Sequence, residues 1–165
     1  MAKILNKNRV TAVIPAYNEE KTIRDVIVSV KPYVDEILVV LSKKSKDRTE
    51  AILKSMKIPY IVDQGKGKGD ALQLGIKHVK TQITLFIDAD GSHEVSDIPR
   101  LVEPIKNNTA DIIIGSRATG GSDELHGTLY MYLKHAATGL IMLIINYRWH
   151  VTLTDCENGF RAAKT

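Results

Sequence analysis

Two carboxylates separated by one alanine, Asp88-Ala89-Asp90, directly follow the apolar run Ile83-Thr84-Leu85-Phe86-Ile87. Side chains two apart on an extended segment project to the same side, so both carboxylates can approach one divalent cation or one polar ligand. A strand end followed by an Asp-Gly turn has the same appearance. A second candidate is Gly65-Lys66-Gly67-Lys68-Gly69-Asp70. Its glycines allow a backbone to come close to a ligand, and its lysines bring charge to a phosphate. It is not a Walker loop, because no Gly-Lys-Ser/Thr follows. It is not the dinucleotide pattern either, because Leu72 stands where the third glycine would fall counting from Gly67. Ser116-Arg117 can offer a forked guanidinium to a phosphate. Asp155-Cys156-Glu157-Asn158-Gly159-Phe160-Arg161 gathers two carboxylates and an arginine around a glycine. Taken singly, each also reads as a solvated loop, a surface arginine or a polar turn.

The elements between these groups explain why they belong together. Val10 to Ile14 reads as a buried strand closed by Pro15, and Asn18-Glu19-Glu20 with Thr22 starts a helix whose apolar positions are Ile23, Val26, Ile27 and Val30. Strands are expected at Glu36–Leu41, Pro59–Val62, Ile83–Ile87 and Asp111–Gly115. Helices are expected at Thr49–Met56, at Asp70–His78 and through Ile98, Leu101, Val102 and Ile105. Such alternation predicts a mostly parallel sheet with helices on both faces, and ligands then bind outside the carboxyl ends of the strands. Those ends carry Pro15 to Glu20, Ser42 to Lys46, Gln64 to Asp70, Asp88 to Ser92 and Ser116-Arg117. A further helix is expected from about Thr128 to Asn146.

A length of 165 residues suits one domain with a real core. Hydrophobic residues at 44% and charged residues at 25% exclude a disordered or low-complexity chain. The lone Cys156 excludes a disulfide framework, and Cys/His zinc spacing is absent. The strongest apolar run, Leu140 to Ile145, is far short of the roughly 20 residues a bilayer crossing needs. The basic segment Met1–Arg9 lacks the apolar stretch of a signal peptide, so a cytoplasmic location is expected. A net charge of +4 permits anionic partners without choosing among them. Few aromatics, none interleaved with basic residues, argue against nucleic acid.

The order of these groups on successive strand ends resembles inverting family-2 glycosyltransferases. The matching pieces are Val13 to Glu20, Gly65 to Leu72, Phe86 to Asp90, Ile114 to Arg117 and Asn158 to Arg161. The set is most similar to the branch that makes polyprenyl (dolichyl) phosphate hexoses. The resemblance implies an α/β fold of the A-type glycosyltransferase kind and a single nucleotide-sugar-binding domain over 1–165, either complete or cut short at its C-terminus. It implies that Pro15, Ala16, Tyr17, Asn18 and Glu19, with Lys68, Asp88 and Ala89, bind a GDP- or UDP-hexose. Asp90, with Asp88, would hold Mg²⁺ or Mn²⁺. Arg117 and Arg161 would meet the acceptor phosphate, and Asp90, Arg117 and Asp155 would be the catalytic set.

Two departures stand out. An Asp-rich turn after the second strand, one of whose carboxylates contacts the base in the family, is replaced by Ser42-Lys43-Lys44-Ser45. Ser92 stands where polyprenyl-phosphate enzymes often carry Gln. The alternatives are a soluble transferase with a hydroxyl acceptor, for which Asp155 or Glu157 would be the base, and a nucleotide-sugar-binding protein without activity. A sugar-nucleotide pyrophosphorylase would carry a Gly-, Arg- and Lys-containing run after the first strand, which Pro15 to Glu20 lacks. The segment Leu129–Tyr147, apolar at Leu133, Leu140, Ile141 and Ile144, is expected either to pack on the sheet or to touch a membrane surface peripherally.

Overall fold

Strand β1, Asn6–Ala16, has Val10, Ala12, Val13 and Ile14 without measurable exposure, so both of its faces are covered. Such a run belongs in the middle of a parallel sheet. In the computed structural model, which describes residues 6–116, 129–155 and 158–165, β1 is flanked by β2 (Glu36–Leu41) and β4 (Thr81–Phe86), both parallel to it. Strand β3 (Tyr60–Val62) extends the sheet parallel to β2. Strands β5 (Ile112–Ile114) and β6 (Arg161–Lys164) complete the order β3-β2-β1-β4-β6-β5.

Two apolar layers hold the sheet. Val10, Ala12, Ile14 and Ala16 turn toward α1 (Ile23–Val30), α2 (Thr49–Ser55) and α4 (Ile98–Lys106), which contribute Ile27, Leu53 and Leu101. Val13 and Val40 turn the other way, into a smaller cluster with Ala71 of α3 (Lys68–His78) and Val79 just after it. The alternation of side chains along β1 thus puts helices on both faces, as expected.

Most element boundaries agree with the sequence within one to three residues. Three differences have physical causes. Strand β1 continues through Pro15 to Ala16. The carbonyl of Val13 accepts from Ile87 N on the β4 side, so the missing Pro15 N–H would face the same way, where β4 has already ended at Phe86. No ladder bond is lost. Helix α3 begins at Lys68 rather than Asp70, directly after Gly67 turns the chain at φ +113°. Strand β6, antiparallel to β4 with Phe86 opposite Arg161, was not expected at all.

The chain divides into two compact units, Met1–Ile113 with Gly159–Thr165 and Ile114–Asn158. In the second unit, α5 (Leu129–Trp149) is tied off by the Asn146 side chain, which both donates to and accepts from the backbone of Leu153. Asn158 there donates its side-chain amide to the Gly115 carbonyl, and its backbone N–H donates to Asp155.

Candidate active site

The strand order reverses direction at β1, with β2 on one side and β4 on the other, and the crevice outside the carboxyl ends opens at that point. A cavity of about 600 Å³ lies there. Its walls include Pro15, Ala16, Tyr17 and Glu19 from the end of β1, and Gly65 to Lys68 from the loop into α3. Asp88, Ala89 and Asp90 follow β4 on the same cavity. The first unit therefore brings together eight of the expected donor-side residues on one cavity.

Asn18 is the exception. It sits at φ +55° and works as a fastener between loops. Its N–H donates to Ser45 Oγ at 2.8 Å, and its Oδ1 accepts from Lys46 N at 2.8 Å. Glu19 N donates to Thr49 Oγ1, Glu20 N to Asp47 Oδ2, and Arg48 N to Glu20 Oε2. The Arg48 backbone N–H and then its guanidinium hold the Glu20 carboxyl below its ordinary range. The stretch Ser45–Thr49 thus fixes the cavity-lining loop after β1. Ser45 and Lys46 fell within a strand end expected to face the ligand, but Asp47-Arg48-Thr49 was given no role in the site, although it has the side chains for it.

Asp88 is the electrostatic centre. Lys68 Nζ lies 2.6 Å from its Oδ1, and His93 Nε2 lies 3.3 Å from its Oδ2. The hydrogen bond from His93, opposed by partial burial and supported by Lys68, holds the carboxyl down to about 2. Asp88 is therefore ionised and acceptor-only, which makes His93 Nε2 the donor. The imidazole is itself stacked on Phe160, with ring centroids 5.1 Å apart. Gly159 is required next to it, because a Cβ there would come within 2.6 Å of Asp88 Oδ2. His93, Phe160 and Gly159 form a backing for Asp88. No residue spacing in the sequence signals it, since it joins residues across β4 and the unforeseen β6.

Asp90 is exposed at the cavity, and its Oδ1 accepts from Ser92 N at 2.9 Å. Among the described residues no three His, Cys, Asp or Glu side chains converge as a ready-made metal cage. Small hard cations are commonly held by one or two carboxylates plus substrate phosphates. An exposed carboxylate beside a lysine-lined cavity fits a divalent cation that arrives with a diphosphate. Asp88, with both oxygens already engaged, fits the role of a charge anchor beside it.

Asp63, which sequence reasoning passed over, also lines the cavity and is buried at 6% exposure. It follows the apolar residues of β3 just as Asp88 follows those of β4, and that repeated pattern was the available signal. Arg161 lies in β6 with its guanidinium carbon 5.8 Å from the centroid of the Phe86 ring. Asp155 is buried in the second unit. Arg117 and Glu157 lie outside the described residues.

A doubly wound sheet with an acidic and lysine-rich cleft at its switch point defines an α/β domain whose candidate ligand site lies outside the carboxyl ends of its strands. The chain matches the glycosyl transferase family 2 domain over residues 11–162 and belongs to that family. It is 26% identical to UDP-N-acetylglucosamine–dolichyl-phosphate N-acetylglucosaminyltransferase of Methanococcus voltae, covering 91% of this chain and 67% of that protein. It is 30% identical to a dolichyl-phosphate beta-glucosyltransferase of Trichomonas vaginalis, covering 92% of this chain and 52% of the relative. Among solved structures it resembles glucosyl-3-phosphoglycerate synthase of Mycobacterium tuberculosis in complex with Mn²⁺, UDP-glucose and glycerol 3-phosphate. That match has a TM-score of 0.70 at 25% identity, with 94% of this chain and 56% of that one covered. The fold is thus the A-type glycosyltransferase fold. The chain spans about half to two-thirds of the length of these relatives.

Proposed function

We propose that this domain transfers a hexose from a GDP- or UDP-hexose to a polyprenyl or dolichyl phosphate, with inversion at the anomeric carbon. The observation that carries the proposal is the single cavity in which Lys44, Lys66 and Lys68 share walls with Asp88 and Asp90. The names of the archaeal and protist relatives support a lipid-phosphate acceptor. In this reading Lys66, Lys68 and the first turn of α3 hold the donor diphosphate. Asp88 keeps Lys68 oriented until the diphosphate enters. Mg²⁺ or Mn²⁺ at Asp90 would offset the charge that develops on the departing diphosphate.

The acceptor phosphate is ionised at neutral pH. Its oxygen forms the new bond to the anomeric carbon on the face opposite the leaving oxygen, whose bond to that carbon breaks. No proton has to be removed, so Arg117 and Arg161 serve to position the acceptor and no base is needed. Exposed apolar residues on α5, among them Leu140, Leu143 and Ile144, support peripheral contact with the cytoplasmic face of a membrane, where such an acceptor resides.

The test is the initial transfer rate to polyprenyl phosphate and to a sugar-alcohol acceptor, with Mn²⁺ and with chelator. Arg117→Ala is expected to slow transfer to polyprenyl phosphate roughly tenfold to a hundredfold, the worth of one charge-assisted contact of about 1.5–3 kcal/mol. Asp155→Asn is expected to be milder. Transfer that survives Arg117→Ala and collapses with Asp155→Asn would identify a hydroxyl acceptor and a carboxylate base instead.

A further inference from the structure

We infer that Asp63 reads the nucleobase of the donor and selects uracil over guanine. The inference rests on the cavity being a nucleotide-sugar site. Asp63 is a nearly buried carboxylate on the cavity wall, at the end of β3. One of its oxygens is committed: Oδ1 accepts from Lys43 N at 3.1 Å and from Gly65 N at 2.7 Å. Oδ2 has no hydrogen-bond partner among the described residues. A fixed acceptor with one spare oxygen on the cavity wall calls for a single N–H from a ligand.

Position supports the assignment. Strands β3 and β4 are separated by β2 and β1, so their ends lie three inter-strand steps apart, about 14 Å at ~4.8 Å per step. Asp88 and Asp90 stand at the β4 end with Lys68 beside them, and that end takes the diphosphate. A nucleoside reaching along the strand ends from there brings its base toward β3. Ser42-Lys43-Lys44-Ser45, at the end of β2, has no carboxylate to offer a base, and Asp63 from the adjacent strand supplies one.

The chemistry distinguishes the bases. Uracil presents one ring N–H, at N3, between two carbonyls. Guanine presents N1–H and the N2 amino group side by side, and a bidentate match needs both carboxylate oxygens. Oδ1 is already saturated by two backbone donors, so uracil fits and guanine leaves a donor unmatched. The Lys44 side chain packs beside Gly65, close to where a Cβ would lie, and is a donor for one of the uracil carbonyls.

The experiment is calorimetric titration, in Mn²⁺, of UDP, GDP, N3-methyl-UDP and inorganic pyrophosphate into the wild-type chain and Asp63→Asn. The asparagine keeps an oxygen for the Lys43 and Gly65 N–H groups and places an amide where Oδ2 was. UDP is expected to bind the wild type roughly tenfold to a hundredfold more tightly than GDP or N3-methyl-UDP, the range of one charge-assisted hydrogen bond. In Asp63→Asn that advantage should shrink to within about twofold, with pyrophosphate affinity unchanged. The methylated nucleotide removes the N–H from the ligand side, so the test stands even if the variant folds poorly. Equal binding of UDP and N3-methyl-UDP, or tighter binding of GDP, overturns the role of Asp63 and leaves the donor site intact. If neither nucleotides nor pyrophosphate bind, the donor site itself falls, and this inference with it.

Discussion

Asp88 connects three separate pieces of chain: Lys68 from the start of α3, His93 from the loop before α4, and the Gly159-Phe160 backing that precedes β6. Its carboxyl lies at about 2, against an ordinary 3.8, so its ionised form is bound more tightly in the folded chain than in the unfolded one. A depressed folded value means the stabilisation is fully present above about pH 4 and is lost as pH falls through about 2. A shift of this size corresponds to about 2 kcal/mol. Urea unfolding between pH 5 and pH 2 should show the wild type losing about 2 kcal/mol more than Asp88→Asn over that interval. Parallel pH profiles of the two proteins would show that His93 and Lys68 do not bind the charge. Here the sequence was half legible. Asp-Ala-Asp was visible as a motif, but its partners were not, because they converge only through strand pairing and a ring stack between residues 93 and 160.

At the scale of elements, the pairing of α3 with the sheet is set by one missing side chain. A Cβ on Gly75 would lie 2.6 Å from Val13 Cγ1 and 3.2 Å from Val40 Cγ2, both on buried, rotamer-stiff valines. Gly75→Ala gains up to about 1 kcal/mol of helix propensity but forces overpacking that costs about 1–3 kcal/mol, so net destabilisation is expected. Gly69→Ala, in the same helix with nothing within 4 Å of the added carbon, should stabilise by a few tenths to about 1 kcal/mol. Thermal melts of the two variants, moving in opposite directions, check this. Strand β2 was legible to the residue because its apolar run is bounded by Asp35 and Ser42. Strand β6 was hidden because Arg161-Ala162-Ala163-Lys164 has little intrinsic strand preference. Its place is set by Ala162, fully buried opposite Leu85, a tertiary fact that no local pattern carries.

At the scale of the whole molecule, α5 presents Leu140, Ile141, Leu143, Ile144 and Tyr147 to solvent, with Leu143 at 65% and Tyr147 at 81% exposure. No helix among the described residues is long and apolar enough to cross a membrane. These exposed apolar side chains are the ones on which the proposed peripheral membrane contact rests. In flotation assays with anionic vesicles, the chain is expected to float with lipid. Leu143→Asp should lower its partitioning about tenfold or more, since burying a leucine is worth about 1.5–3 kcal/mol. A chain that stays at the bottom of the gradient with every vesicle composition would count against this contact. The placement of β6 has a further consequence, for the order in which the protein is made. Ile83 pairs with Lys164, and β5 reaches the sheet only alongside β6. During synthesis the β4 edge therefore waits, unpaired, while the ribosome extends the chain by the whole intervening stretch. Closing so long a loop is slow, and an open strand edge is a template for another chain. The nascent protein is thus most prone to aggregate just before its strand β6 clears the ribosome, after β1 to β4 have already formed their ligand-binding crevice.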